Sequence, residues 1–86
     1  MKFKVGDLIT TKVSDNGNIV FSEIHDISVV EAIILKHWQT EQYWTKDVVD
    51  NVHLYITFDA ADPTAVGDID MMTGFKEEYW SLKNEA

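Results

Sequence analysis

The chain has 86 residues, of which 45% are hydrophobic and 12% are aromatic. That is enough apolar side chain for one packed core and too little chain for two, so we predict a single domain over residues 1–86. The absence of cysteine excludes disulfides and thiolate metal sites. No apolar run approaches the roughly 18 residues of a membrane-spanning helix, and none follows the basic amino-terminal residues as in a signal peptide. We therefore expect a cytoplasmic protein without membrane association.

The charge of the chain is acidic and unevenly distributed. Fifteen acidic residues stand against seven lysines and no arginine, which gives a formal net charge of −8. Residues 1–46 carry −1 of this charge and residues 47–86 carry −7. Nucleic-acid binding requires cations that neutralise phosphate, so the sequence argues against direct binding to DNA or RNA. The acidic half favours a partner with a basic surface, unless the charge serves only to keep the protein in solution.

The first predicted element is a β-hairpin over residues 3–27. Its first strand opens with apolar and polar residues in alternation, interrupted by a turn or bulge at Gly6. Asn16-Gly17 supplies the positive φ angles that a tight hairpin turn requires, and residues 19–27 form the returning strand.

Residues 28–38 allow two interpretations. Ser28 and Glu31 have the spacing of a helical capping box. However, the apolar residues of this segment are mostly β-branched and occupy nearly every position, which is typical of a strand buried on both faces. We favour the strand. The β-branched residues are Val29, Val30, Ile33 and Ile34.

The middle of the chain combines an ambiguous stretch with a clear strand. Residues 39–42 form a polar break, and residues 43–45 are predicted to be a strand because two of them are aromatic. Residues 45–51 are compatible with a short helix as well as with an extended segment. Residues 52–58 alternate strictly between apolar and polar positions, which predicts a strand. Its inward residues are Val52, Leu54, Ile56 and Phe58.

The last third of the chain is predicted to be irregular, with two short extended segments. Residues 59–64 surround the only proline and form a loop. After a break at Gly67, residues 69–73 form a short extended or turn segment. Residues 75–79 form one helical turn that leads into a final strand over residues 79–82.

Five to six short strands separated by frequent breaks predict a mainly β protein, either a small barrel or a curled antiparallel sheet with at most one short helix. The segment Val5-Gly6-Asp7-Leu8-Ile9 resembles the opening turn of small SH3-like barrels of the KOW type. The spacing Phe75-x-x-x-Tyr79-x-x-Leu82 is similar to the closing segment of small uncharacterised phage and bacterial proteins, which would place the protein in a host cytoplasm. The resemblance covers the two ends and implies the barrel fold. It does not imply RNA binding, because KOW-type domains use basic loops and these loops carry Asp and Glu.

No motif in the sequence indicates catalysis, a cofactor or a metal. The serines lack a nucleophile-elbow context, and the glycines are scattered rather than gathered in a phosphate-binding loop. The three histidines, His25, His37 and His53, do not have metal-ligand spacing. We therefore predict a protein that is not an enzyme and has no cofactor. Four aspartates that lack the regular calcium-loop pattern are interpreted as a solvated acidic loop, and they are Asp59, Asp62, Asp68 and Asp70.

The most informative feature is a repeated aromatic dipeptide, Tyr43-Trp44 and Tyr79-Trp80, which falls in predicted strands both times. Neighbouring residues of a strand point to opposite faces of the sheet. One ring of each pair should therefore face the core and the other should face solvent or a partner. We also expect at least two of the three tryptophans to be mainly buried.

These features predict a non-catalytic protein-interaction module, such as a phage or bacterial regulator or inhibitor. Exposed Trp and Tyr with a charged rim are typical of protein-binding surfaces. Two alternatives are an acidic DNA mimic that blocks a nucleic-acid-binding protein and a protein that binds or sequesters a small ligand. Self-association through the same rings would give a homo-oligomer. The predicted binding residues are Tyr43, Trp44, Tyr79 and Trp80 as anchors, with Asp59, Asp62, Asp68 and Asp70 steering a basic partner.

Overall fold

A computed structural model describes residues 1–12 and 29–83 of the chain. The strands are β1 (Leu8–Thr11), β2 (Val30–Glu41), β3 (Val48–Asp59), β4 (Ile69–Thr73) and β5 (Trp80–Leu82), and two 3₁₀ helices span Pro63–Ala65 and Glu77–Tyr79. The strands form one open antiparallel sheet in the order β4-β3-β2-β1-β5. The predicted mainly β fold is confirmed. In the described ranges, no helix is long and apolar enough to cross a bilayer.

Only the first strand of the predicted amino-terminal hairpin can be compared with the structure. Leu8–Thr11 is a strand, as expected. It begins after a turn at Gly6, whose φ of 95° is the left-handed conformation that glycine adopts without strain. The Asn16-Gly17 turn and the returning strand over residues 19–27 lie outside the described residues.

The strand interpretation of residues 28–38 is correct for the part that is described. β2 lies between β1 and β3, so the backbone groups in its first half are paired on both sides. Ala32 and Ile34 are fully buried, and both point to the side of the sheet that we call the inner face. Opposite residues of paired strands share a face, so Val52 and Leu54 of β3, which lie across from β2, are inner-face residues too.

The core forms where the chain termini and loops cover the inner face. Phe3 precedes β1, and Phe75 follows β4, so both reach the sheet from outside it. Their rings meet edge to face at 6.4 Å, and the Phe75 ring lies 5.7 Å from that of Trp80. A backbone hydrogen bond of 2.8 Å from Phe75 to the Asp50 carbonyl fixes this cover on β3. The buried core residues are Phe3, Ile9, Ala32, Ile34, Val52, Leu54, Ile56, Phe75 and Trp80.

Two predictions about the middle of the chain are wrong. The polar break at residues 39–42 is mostly strand, since β2 continues to Glu41. Residues 43–45, predicted to be a strand, form the turn between β2 and β3. The polar residues at the end of β2 are compatible with a strand there because this part of it is exposed to solvent. The aromatic residues suggested a strand by propensity alone, and propensity yields to the geometry of the hairpin.

Phe58 also departs from its prediction, because 44% of it is exposed. Strict alternation would place it on the inner face with Ile56. Glu31 pairs with Phe58, however, and Ala32 pairs with Ile56, so Thr57 is an extra residue on β3. Such a bulge reverses the facing of the residues that follow it, and Phe58 therefore turns away from the core.

Candidate functional site

The β2–β3 hairpin extends beyond the rest of the sheet. β4 pairs with β3 no further than Asn51, which lies opposite Trp38 of β2. Past this point no third strand pairs with β2 or β3 in the described ranges, and their ladder ends at the pair formed by Glu41 and Val48. The one backbone hydrogen bond to this extension from outside the hairpin, among those described, joins the Phe75 amide to the Asp50 carbonyl. Three residues at about 3.3 Å each give a two-stranded ribbon of roughly 10 Å before the turn begins. We call residues 39–50 the ribbon and residues 42–47 its tip.

The tip is held by hydrogen bonds between its own ends. The Gln42 amide donates to the Asp47 carbonyl at 2.8 Å, and the Lys46 amide donates to the Gln42 carbonyl at 2.9 Å. The Thr45 hydroxyl donates to the Gln42 side-chain oxygen at 3.0 Å and accepts from the Asp47 amide. Lys46 closes the turn with a φ of 61°, in the left-handed region. The tip is therefore a defined turn and not a loose connection.

This turn presents the first aromatic dipeptide to solvent. Tyr43 is 82% exposed and Trp44 is 83% exposed. Their ring centroids lie 6.3 Å apart with the planes at 85°, an edge-to-face arrangement. The Lys46 ammonium lies 5.6 Å from the centre of the Tyr43 ring. One ring of each pair was predicted to face solvent, but in this pair both rings face solvent.

The ribbon is anchored on its inner face by a polar cluster. His37 Nε2 lies 2.7 Å from Asp50 Oδ1, and the Gln39 amide donates to the same oxygen at 3.1 Å. An ionised carboxylate can only accept, so Nε2 carries the proton. The hydrogen bond from His37 lowers the pKa of Asp50 below its ordinary value, and this outweighs the opposing effect of burial. The carboxylate is therefore ionised at neutral pH.

The opposite side of the sheet, the outer face, holds the base of the ribbon by aromatic packing. Trp38 meets the His53 ring edge to face at 5.1 Å, and the Lys36 ammonium lies 5.0 Å from the Trp38 ring. Asn51 of β3 is buried, and its side-chain amide donates to the Thr40 hydroxyl at 3.0 Å. The ribbon is thus fixed to the sheet on both faces.

The second aromatic dipeptide is located in the core. Trp80 is only 5% exposed, and Tyr79 is half-buried against the same cluster. Trp80 therefore faces the core, as expected of one ring in each pair, and it is not exposed as a surface anchor. Most of the surface of two of the three tryptophans is buried, as expected, because Trp80 is 5% exposed and Trp38 is 36% exposed, whereas Trp44 is 83% exposed.

The four aspartates lie along the half of β3 that is remote from the tip, with Asp70 opposite Leu54 and Asp59 at the end of the strand. Asp59 is eleven residues from Val48, which is roughly 36 Å along an extended strand. Asp59 Oδ1 accepts hydrogen bonds from the Ala61 and Asp62 amides, and Asp62 Oδ1 accepts from the Thr64 amide at 3.1 Å. These two carboxylates therefore stabilise the loop around the proline.

An open groove of about 370 Å³ lies on the inner face at this acidic end. Asp59, Asp62 and Asp70 border it, and Trp80 contributes to its wall. Asp68 borders an adjacent cavity. The structure thus brings Trp80 together with three of the predicted aspartates and leaves Tyr43 and Trp44 apart. The apolar lining of the groove includes Val30, Leu54, Ile56 and Met72.

No metal site is visible in the ranges 1–12 and 29–83, because no three carboxylate or imidazole groups come together there. His25 is outside those ranges. His37 and His53 belong to the two faces of the ribbon base, as described above. The solvated-loop interpretation of the aspartates stays a prediction.

Sequence reasoning missed the residues that build the ribbon. Lys46 has no sequence signature for a left-handed turn residue, where Gly or Asn is usual. The His37–Asp50 pair is separated by 13 residues, and no spacing rule identifies it. One signal was available: the polar segments on either side of Tyr43-Trp44 are typical of a hairpin turn between two strands.

No family model, curated protein or solved structure matches this chain.

Proposed function

We propose that this protein is a non-catalytic interaction module that binds another protein through the ribbon tip and so regulates or inhibits it. The observation that supports this is the pair Tyr43 and Trp44, each more than four-fifths exposed on an ordered turn. Each such ring offers about 150–250 Å² of surface for burial. Trp and Tyr are among the residue types that most often dominate binding energy at protein interfaces.

The shape of the ribbon specifies the kind of surface it fits. A two-stranded projection with rings at its end is narrow, so a partner must provide a cleft or pocket to bury both rings. The hydrogen bonds between Gln42, Lys46 and Asp47 order the turn before binding. Binding therefore costs less conformational entropy than it would for a loose loop.

The acidic end of β3 acts on a partner from a distance under this proposal. Along β3, Asp59 is roughly 36 Å from Val48 beside the tip, and Asp70, which pairs with Leu54, is roughly 20 Å from it. Both distances exceed twice the screening length of about 8 Å at physiological salt. Asp59, Asp62, Asp68 and Asp70 therefore do not contribute to contacts at the tip. They attract a basic partner as it approaches, which raises the association rate at low salt more than it lowers the dissociation rate.

The experiment is capture of partners from a lysate of the source cells, with immobilised wild type, Tyr43→Ala and Trp44→Ala. We expect each substitution to remove the captured protein, since truncation of an anchor costs at least about 2 kcal/mol, or roughly thirtyfold in affinity. Phe58→Ala is the matched control, because it truncates another partly exposed ring at the far end of β3. Purified partner then gives dissociation constants by calorimetry, with circular dichroism as the check on folding. Equal capture by all four proteins would refute the proposal.

A further inference from the structure

Among the described strands, β4 is the terminal one on one side of the sheet, and no described strand pairs with its outer edge. The Ile56 amide donates to the Asp68 carbonyl at 3.0 Å, which sets the alternation along this pair of strands. The backbone amide and carbonyl groups of Asp70 and Met72 therefore point toward β3. Those of the three other residues of β4 point away from β3, toward the edge of the sheet. In the described part of the chain, nothing pairs with these outward groups. The outward residues are Ile69, Met71 and Thr73.

Gly67 and Asp68 both bond to Ile56 and form a bulge before β4, but the strand Ile69–Thr73 itself lacks the features that normally keep an edge strand from pairing. Such features are proline, lysine, a bulge or an outward charge. β4 has the sequence Ile-Asp-Met-Met-Thr and pairs with β3 in unbroken register. Its one charge, Asp70, lies opposite the buried Leu54 and so points to the inner face. On the outer face, Ile69 is 58% exposed and Met71 is 73% exposed.

We propose that a second copy of this chain pairs with this edge, β4 against β4 in antiparallel orientation, about a two-fold axis at Met71. Met71 then lies opposite its own copy, and Ile69 lies opposite Thr73 of the other protomer. Each of these pairs exchanges two hydrogen bonds, so all outward amides and carbonyls of both strands are satisfied. The result is a continuous ten-stranded sheet with a Met71–Met71 contact at its centre.

The charge on β4 selects this register. An axis at Asp70 would place two carboxylates directly opposite each other, which is destabilising. An axis at Met72 would leave Ile69 without a partner on the other strand. With the axis at Met71, Asp70 faces Met72 of the other copy, and the two carboxylates are diagonal neighbours. The five-residue strand is therefore complementary to itself in this register, as a two-fold interface requires.

The interface is small, so the dimer is weak. A single pair of five-residue strands buries less than the roughly 1,200 Å² of a stable interface, which corresponds to a dissociation constant in the micromolar range or above. Each chain carries a net charge of −8, so the two copies repel at long range. Added salt screens this repulsion and strengthens the dimer. It has the opposite effect on capture of a basic partner, which separates the two proposals.

The first test is sedimentation of the whole chain from about 1 µM to about 1 mM, a range that includes the expected dissociation constant. Wild type should change from the 9.9 kDa monomer to a dimer as concentration rises. Met71→Pro should remain monomeric. The Met71 amide points away from β3, so proline removes an intermolecular hydrogen bond and leaves the sheet of each chain intact. Met71→Thr is the control that keeps the amide and should still dimerise.

The second test is disulfide trapping, which is clean because the chain has no cysteine. Opposed residues of a hydrogen-bonded pair have Cα atoms about 5.5 Å apart, within the span of a disulfide. Met71→Cys should therefore cross-link to its own copy. Ile69→Cys alone should not, because two copies of this position are roughly 14 Å apart in the proposed register. A mixture of Ile69→Cys and Thr73→Cys chains should cross-link.

Three results would overturn the dimer. One is a wild type that stays monomeric over the whole concentration range. Another is a Met71→Pro variant that dimerises as well as wild type, because the contact would then lie elsewhere. The third is an Ile69→Cys chain that cross-links with itself as fast as Met71→Cys does. Because β4 pairs with residues 51–55 of β3 and not with the ribbon, none of these variants alters the tip.

Discussion

The dipeptide Tyr-Trp occurs twice in this chain, and the two copies have opposite environments. Tyr43 and Trp44 are more than four-fifths exposed at the ribbon tip, whereas Trp80 is 5% exposed at the start of β5. The difference arises from what covers each position. The Phe75 ring packs against Trp80, and in the described residues the Tyr43–Trp44 pair is contacted by parts of its own turn. The same dipeptide therefore contributes a ring to the core in one place and lies exposed to solvent in the other.

The largest expected effect compares truncation of the two tryptophans. Trp80→Ala should destabilise the protein by about 3–5 kcal/mol, because it removes a large buried ring and leaves a cavity. Trp44→Ala should change the free energy of unfolding by less than about 0.5 kcal/mol, since its ring is exposed. Urea denaturation followed by circular dichroism measures both. Comparable losses of stability in the two variants would contradict the burial of Trp80 and the exposure of Trp44.

A smaller effect is expected at the base of the ribbon. Asp50→Asn should reduce stability at neutral pH by about 1 kcal/mol, because a charged acceptor for His37 and Gln39 is lost. The folded pKa of Asp50 is below its ordinary value, so the contribution of the carboxylate is present above about pH 4 and is lost as the pH falls through the folded pKa.

Unfolding measured from pH 7 downward tests this expectation. The stability curves of wild type and Asp50→Asn should converge at acidic pH. Gln39→Ala is the control, because it removes one donor and keeps the carboxylate, so its curve should retain most of the pH dependence. A difference between wild type and Asp50→Asn that does not vary with pH would show that the carboxylate does not stabilise the ribbon.

The smallest effect is expected at the turn itself. Lys46→Gly should stabilise the protein by up to about 1 kcal/mol, because a residue other than glycine is strained at the observed φ of 61°. The loss of the Lys46 ammonium from the Tyr43 ring offsets part of this gain. Thr45→Gly is the matched control in the same turn, and it should destabilise because no positive φ is recorded there and a hydrogen bond is lost. Thermal unfolding distinguishes the two, and a destabilised Lys46→Gly variant would contradict the turn geometry.

Features that arise from the residue pattern of a single segment were predicted from the sequence, whereas features that depend on pairing between strands were not. The strict alternation of residues 52–58 predicted a strand, and β3 contains it. The β-branched run before residue 38 likewise predicted β2. Phe58 was predicted to face inward and does not, because the bulge at Thr57 is defined by its pairing with β2. The alternation of apolar and polar residues in one strand does not reveal a bulge, because a bulge is defined by how that strand pairs with its neighbour.

The ribbon tip is a second region whose structure was not predicted from the sequence. Aromatic residues have high strand propensity, so residues 43–45 were predicted to be a strand. Their turn is specified by hydrogen bonds that join Gln42 to Lys46 and Asp47, together with an unusual φ at Lys46. Neither feature has a composition signal, which explains why the sequence did not predict that Tyr43 and Trp44 lie on a turn.

The sequence by itself determined the sheet, the acidic charge and the lack of thiol chemistry, because these follow from side-chain periodicity and composition. Only the tertiary structure decided which Tyr-Trp pair is buried. Burial of Trp80 requires Phe75 above it, and Phe75 is in turn packed against Phe3 from the other end of the chain. A contact between residues 72 positions apart depends on how the whole chain is arranged, and no local pattern encodes it.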